Sequence, residues 1–103
     1  MLGLIARRPP PSGLAGTVVH YALDVTNERA LADAARDFVA RFGAPDIVIA
    51  NAGIGVGTRS DELADVDKLR RVLEVNVTGL AATLAAFAPP MRAARDQPED
   101  ARR

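Results

Sequence analysis

Asp46-Ile47-Val48-Ile49-Ala50, running into Asn51-Ala52-Gly53, is the stretch whose reading decides the fold. An almost continuous apolar run rich in β-branched residues suits a parallel strand covered on both faces. It ends in small residues and a glycine-rich loop, Gly53-Ile54-Gly55-Val56-Gly57, where a flat ligand can approach the backbone closely. Upstream, Leu31, Ala34, Ala35, Phe38, Val39 and Phe42 recur at helical spacing. Thr26 is the expected N-cap of that helix, Glu28 favours its positive end, and Gly43 with Pro45 stops it. Downstream, a second long helix is expected from about Asp65 to Ala88. Leu69, Val72, Leu73, Asn76, Leu80, Thr83, Leu84 and Phe87 would share one face of it. Pro89-Pro90 should kink or end this helix, with Met91 to Arg95 as a further turn.

Two shorter strands precede these elements. Gly3-Leu4-Ile5-Ala6 reads as buried, and Thr17 to Asp24 is rich in β-formers. Pro9-Pro10-Pro11-Ser12-Gly13 between them stops regular structure. Arg7-Arg8 with these prolines also has the form of a polyproline ligand, although a linker accounts for it more simply. The order β, β, α, β, α predicts an open α/β fold with about three strands and two long helices. Residues 1–95 form the domain, and 96–103 are a charged tail expected to be disordered.

Composition narrows the chemistry. In 103 residues, thirteen basic side chains balance thirteen acidic ones, so no long-range pull toward nucleic acid or an anionic membrane is expected. There is no cysteine and one histidine, His20, so no metal site is expected and a reducing cytoplasm is suited. Aromatics are 4%, too few for a base-stacking platform. No apolar run reaches the roughly 20 residues that a membrane-spanning helix needs.

Three polar positions fall at or beyond buried elements. Asp24 ends the second strand, where ligands of open α/β sheets bind; capping of the next helix is the alternative. Asn51-Ala52-Gly53 ends the third strand, and a plain turn would need the same residues. Asn76 interrupts an apolar stripe, and an amide buried there needs partners, either at a site or on neighbouring backbone. The glycines from Gly53 to Gly57 imitate a dinucleotide fingerprint, but its last glycine would fall on Thr58. Tyr21, in mid-strand, reads as packing rather than catalysis.

Taken together, these residues make the chain resemble the short-chain dehydrogenase/reductase family over about residues 2–95. The resemblance rests on Asn51-Ala52-Gly53 at a strand end, on Asn76 in Leu73-Glu74-Val75-Asn76-Val77-Thr78-Gly79, and on Leu23-Asp24-Val25-Thr26. It implies a partial Rossmann-type, doubly wound parallel sheet. It also implies that Asp24 and Val25 contact an adenine ring and that Asn51, Ala52 and Gly53 line the cofactor cleft. Asn76 would be the catalytic asparagine that holds a water in a proton relay. At the end of the first strand the family often carries an acidic residue that selects NAD. Here Ala6 and the basic Arg7 favour the 2′-phosphate of NADP.

The family's T-G-x-x-x-G-x-G turn and its Tyr-x-x-x-Lys pair are not found in these residues, whose only tyrosine is Tyr21 and only lysine Lys68. The expectation is therefore an internal part of an NADP-dependent oxidoreductase acting on a small-molecule alcohol or carbonyl, inactive as this chain alone. The alternative is a non-catalytic remnant that binds nucleotide or dimerises through the second long helix. In the strand order 3-2-1-4, a strand absent here lies between this chain's first and third strands. Either those two close the gap directly, or the chain needs a partner.

Overall fold

The computed structural model describes residues 1–55, 57–59 and 61–97. Strands β1 (Leu2–Ala6) and β2 (Val18–Ala22) pair in parallel, with Leu2 opposite Val18 and Ala6 opposite Ala22. The His20 ring lies across them, with Nε2 2.9 Å from the Ala6 carbonyl oxygen. Their connection, residues 7–17, carries no helix. Parallel crossovers usually take a dozen or more residues with a helix. Here three successive prolines forbid one, and Gly13 and Gly16 turn the chain at φ +87° and +80°.

Helix α1 spans Glu28–Phe42. Its cap is Asn27, whose side-chain oxygen accepts the Ala30 N–H at 3.1 Å. Thr26, the expected cap, stands one residue too early, and its hydroxyl donates instead to Asp24 Oδ1 at 2.9 Å. Gly43 closes the helix as expected, at φ +83°, with its N–H on the Val39 carbonyl. Leu31, Ala34 and Ala35 are its buried residues. Gly3 admits the helix to the sheet, because a Cβ there would meet the Phe38 ring at 2.8 Å.

A continuous helical rod follows. Helix α2 (Asp65–Leu73) passes through a π-helical turn (Glu74–Thr78) into α3 (Gly79–Arg95). Pro89 and Pro90 neither end nor divide it. The buried row is Val75, Gly79, Thr83 and Phe87, one residue every four. Phe38 joins the helices, packing edge-on to Phe87 with ring centroids 6.4 Å apart and tilted on Phe42 at 5.2 Å.

Three expectations are corrected. The predicted apolar face of the second helix mixes two faces. Thr83 and Phe87 are buried, whereas Leu69, Leu73, Leu80 and Leu84 are exposed, because only one side of the rod meets α1 and the segment after β2. Asn76 is exposed as well, rather than buried in that stripe. Asp46–Ala50 is not a paired strand. Ile47 and Ile49 are 77% and 80% exposed, and β1–β2 is the only sheet among the described residues. A strand exists through its ladder, and the place between β1 and residues 46–50 is a cleft of about 1270 Å³ rather than backbone. The two segments do not close the gap. The architecture is a partial α/β fold of Rossmann type, with two paired strands and the helices on one face.

The rod Asp65–Arg95 contains an 18-residue window of mean hydropathy 1.4, long and apolar enough by length and composition to cross a membrane, contrary to the reading of the sequence. Only 22% of that window is buried against the rest of the chain, through the row Val75, Gly79, Thr83 and Phe87. Of the charged tail, Asp96 closes α3 through its N–H on the Arg92 carbonyl. Residues 98–103, where the expectation of disorder mainly falls, lie outside the described residues.

Candidate functional site

Because β1 and β2 are parallel, their carboxyl ends share one edge. Arg7 follows β1 there, and Asp24 and Val25 follow β2. Asn51-Ala52-Gly53 ends the extended segment 46–50, and all six of these residues line the same cleft. Ligands of open α/β sheets bind outside such strand ends.

Arg7 is exposed and makes no hydrogen bond or ion pair with the described residues. Val25 is buried, held by Gly79. A Cβ at position 79 would stand 2.7 Å from Val25 Cγ2, so only glycine lets the rod come this close.

Asp24 is the most constrained group in the cleft. Its Oδ1 accepts the Thr26 N–H at 3.0 Å and the Thr26 hydroxyl at 2.9 Å, and its Oδ2 accepts Arg71 Nη2 at 2.8 Å. The Thr26 N–H and then Arg71 hold its carboxyl well below the usual value, at about 2. Both bonds favour the charged form. The same contact raises the Arg71 guanidinium. Neither reading of Asp24 as ligand or as helix cap foresaw Arg71. A signal was present: Arg71 begins the row Arg71-Val75-Gly79-Thr83-Phe87, four residues apart, and a charge in line with a buried row needs a counter-charge.

Asn76 lies in the π-helical turn, a feature frequent at functional sites. Its Oδ1 accepts the Ile54 N–H and its Nδ2 donates to the Ile54 carbonyl, each at 2.8 Å. The amide therefore clamps the glycine-rich loop to the rod. A Cβ at Gly53 would lie 3.3 Å from Asn76 Oδ1, so the loop approaches closely. One Nδ2 hydrogen remains for another partner.

Tyr21 donates its hydroxyl to Asp37 at 2.6 Å; burial and then Asp37 push its pKa up. Lys68 pairs with Asp65 at 3.2 Å. No group of three His, Cys, Asp or Glu side chains able to hold a metal occurs among the described residues.

Comparison with known proteins shows the family. The family model described as short chain dehydrogenase matches residues 11–98. An uncharacterized oxidoreductase of Myxococcus xanthus is 41% identical over 73% of this chain and 29% of its own length. Trans-4-hydroxycyclohexanecarboxylate dehydrogenase of Sinomonas cyclohexanicum is 44% identical over 70% of the chain and 27% of its own length. Among solved structures, carveol dehydrogenase from Mycobacterium avium in complex with NAD superposes with TM-score 0.68 at 29% identity, over 76% of this chain and 28% of that one. The chain thus spans under a third of the length of these relatives, and within that span it belongs to the short-chain dehydrogenase family.

Proposed function

We propose that the cleft is the adenosine half of a nicotinamide-dinucleotide site. The whole protein would be an oxidoreductase that interconverts a small-molecule alcohol and carbonyl with NADP, and the cytoplasm suits its cysteine-free sequence. The observation that carries this reading is the convergence of Arg7, Asp24, Val25 and Asn51-Ala52-Gly53 on one cleft at the strand ends. The residues fit the group. Asp24 keeps an acceptor that would take an exocyclic amine, and Val25, beside it, would meet the ring. The small residues 51–53 admit flat surfaces, and Arg7, a cation without a partner among the described residues, is placed for a 2′-phosphate. When bound, the nicotinamide supplies or accepts the hydride.

Asn76 would act mainly by position, keeping the loop after residue 50 against the rod, with its remaining N–H available to a water of the proton relay. Tyr21 and Lys68 are engaged with Asp37 and Asp65 and do not form an acid–base pair. Turnover by these 103 residues alone is therefore not expected.

Fluorescence titration with NADPH and NADH tests the cofactor reading. The native chain should bind NADPH more tightly by about tenfold, the worth of a charge-assisted contact, and Arg7→Ala should erase that preference while leaving NADH unaffected. Equal binding of the two cofactors by the native chain would contradict it.

A second reading rests on a different observation. Leu69, Leu73, Val77, Leu80 and Leu84 are all at least 41% exposed along one side of the rod. A row of this length is an association surface rather than scattered exposure, and a second copy of the chain is its proposed occupant.

A further inference from the structure

Arg71 reaches Asp24 across 47 residues of sequence, from the last turn of α2 to the carboxyl end of β2. Its two terminal nitrogens divide their work. Nη2 donates to Asp24 Oδ2 at 2.8 Å, and Nη1 lies 3.4 Å from Thr26 Oγ1, the same hydroxyl that donates to Asp24 Oδ1. Glu74 Oε2 lies 3.9 Å from Nη1. The guanidinium thus meets both the carboxylate and the hydroxyl that the carboxylate accepts. This is unlike the pairs Arg36–Asp33 and Arg70–Asp67, which join exposed neighbours on one helix and order nothing distant.

The arithmetic of lone pairs gives this contact a consequence. An ionised carboxylate offers about four acceptor positions. Thr26 occupies two on Oδ1 and Arg71 occupies one on Oδ2. One position on Oδ2 remains. Asp24 and Arg71 both line the cleft, and the Asp24 side chain is 28% exposed. A group held this way can accept from a single N–H and repels a carbonyl oxygen in the same place.

We propose that Arg71 is a positioning residue for base recognition: by occupying one side of Asp24 Oδ2 it aims the remaining lone pair at the exocyclic amine of adenine, and so sets adenine over hypoxanthine. This rests on the reading of the cleft as an adenine-nucleotide site. It adds a residue to that site that acts through Asp24 rather than on the ligand. Without Arg71 the carboxylate is held by Thr26 through Oδ1 alone, both positions on Oδ2 are left open, and the ability to tell an amine from a carbonyl falls, whatever happens to overall affinity.

The test uses the full chain and two probes, NADPH and its hypoxanthine analogue, titrated by nicotinamide fluorescence. The native chain should prefer NADPH by about tenfold, since one probe gains a charge-assisted hydrogen bond where the other meets repulsion. Arg71→Met should bring the ratio to within about twofold, and Arg71→Lys, which keeps the charge and loses the planar fork, should fall between. If Arg71→Met lacks the native circular dichroism spectrum, Arg71→Lys decides, a reduced ratio supporting the proposal and an unchanged one overturning it. Weakening of both probes by the same factor in Arg71→Met would show a merely structural role and overturn it. So would equal binding of the two probes by the native chain. A native chain that binds neither probe would overturn the nucleotide reading itself, together with this one.

Discussion

Gly79 and Asp24 show how single residues set the site. A methyl group at position 79 would stand 2.7 Å from Val25 Cγ2 and 3.3 Å from its Cβ, so either the rod or the segment after β2 must shift. Gly79→Ala gains helix propensity, but forcing an extra methyl into a packed contact costs about 1–3 kcal/mol, so a net loss in denaturant unfolding is expected. Asp24 gives a pH dependence of known sign. Its native pKa, about 2, is below the ordinary 3.8, so it adds stability above pH 4 that disappears as pH falls through about 2. The shift corresponds to at most about 2 kcal/mol at pH 7. Asp24→Asn should lose that amount at pH 7 and converge with the native chain near pH 2, as followed by urea unfolding at both values. A constant difference at both pH values would show that packing, not charge, is what the substitution removes.

At the scale of elements, local chemistry was legible and partnership was not. The first helix could be read to its Gly43 stop, because periodicity and φ-positive glycine are local properties. Its cap is Asn27 rather than Thr26, whose N–H and hydroxyl both turn back to Asp24, a competition invisible without the turn's geometry. Asp46–Ala50 has a strand's composition but no ladder, since composition cannot supply a neighbour. The long rod was foreseen, and so were Thr83 and Phe87 of its buried row, whereas Val75 and Gly79 were not. Leu73 and Leu80 look like core in sequence, yet Val75 and Gly79 are what meet the rest of the chain beside Thr83 and Phe87. Of the candidate cleft, Arg7, Asp24, Val25, Asn51, Ala52 and Gly53 were named from the sequence and line it, whereas Asn76, also named, holds the adjoining loop at Ile54. What escaped was how Asn76 uses its amide and that Arg71 faces Asp24, because both depend on contacts 22 and 47 residues long.

At the scale of the whole molecule, the radius of gyration is 16.6 Å, against about 13 Å for a compact domain of 100 residues. The open cleft and the long rod account for the excess. The exposed leucine row predicts self-association, and Leu73→Glu with Leu80→Glu should shift the chain toward monomer in light scattering. A native chain that is already monomeric at high concentration would contradict this. The central claim is that the cleft holds an adenine dinucleotide, and thermal unfolding followed by circular dichroism, with and without NADPH, tests it most directly. A ligand at 100 times its dissociation constant stabilises a fold by about 2.7 kcal/mol, which moves a small domain's midpoint by several degrees. The account predicts one cooperative transition that rises with NADPH and rises less with NADH. A cooperative transition at the same temperature with either cofactor as without would contradict it.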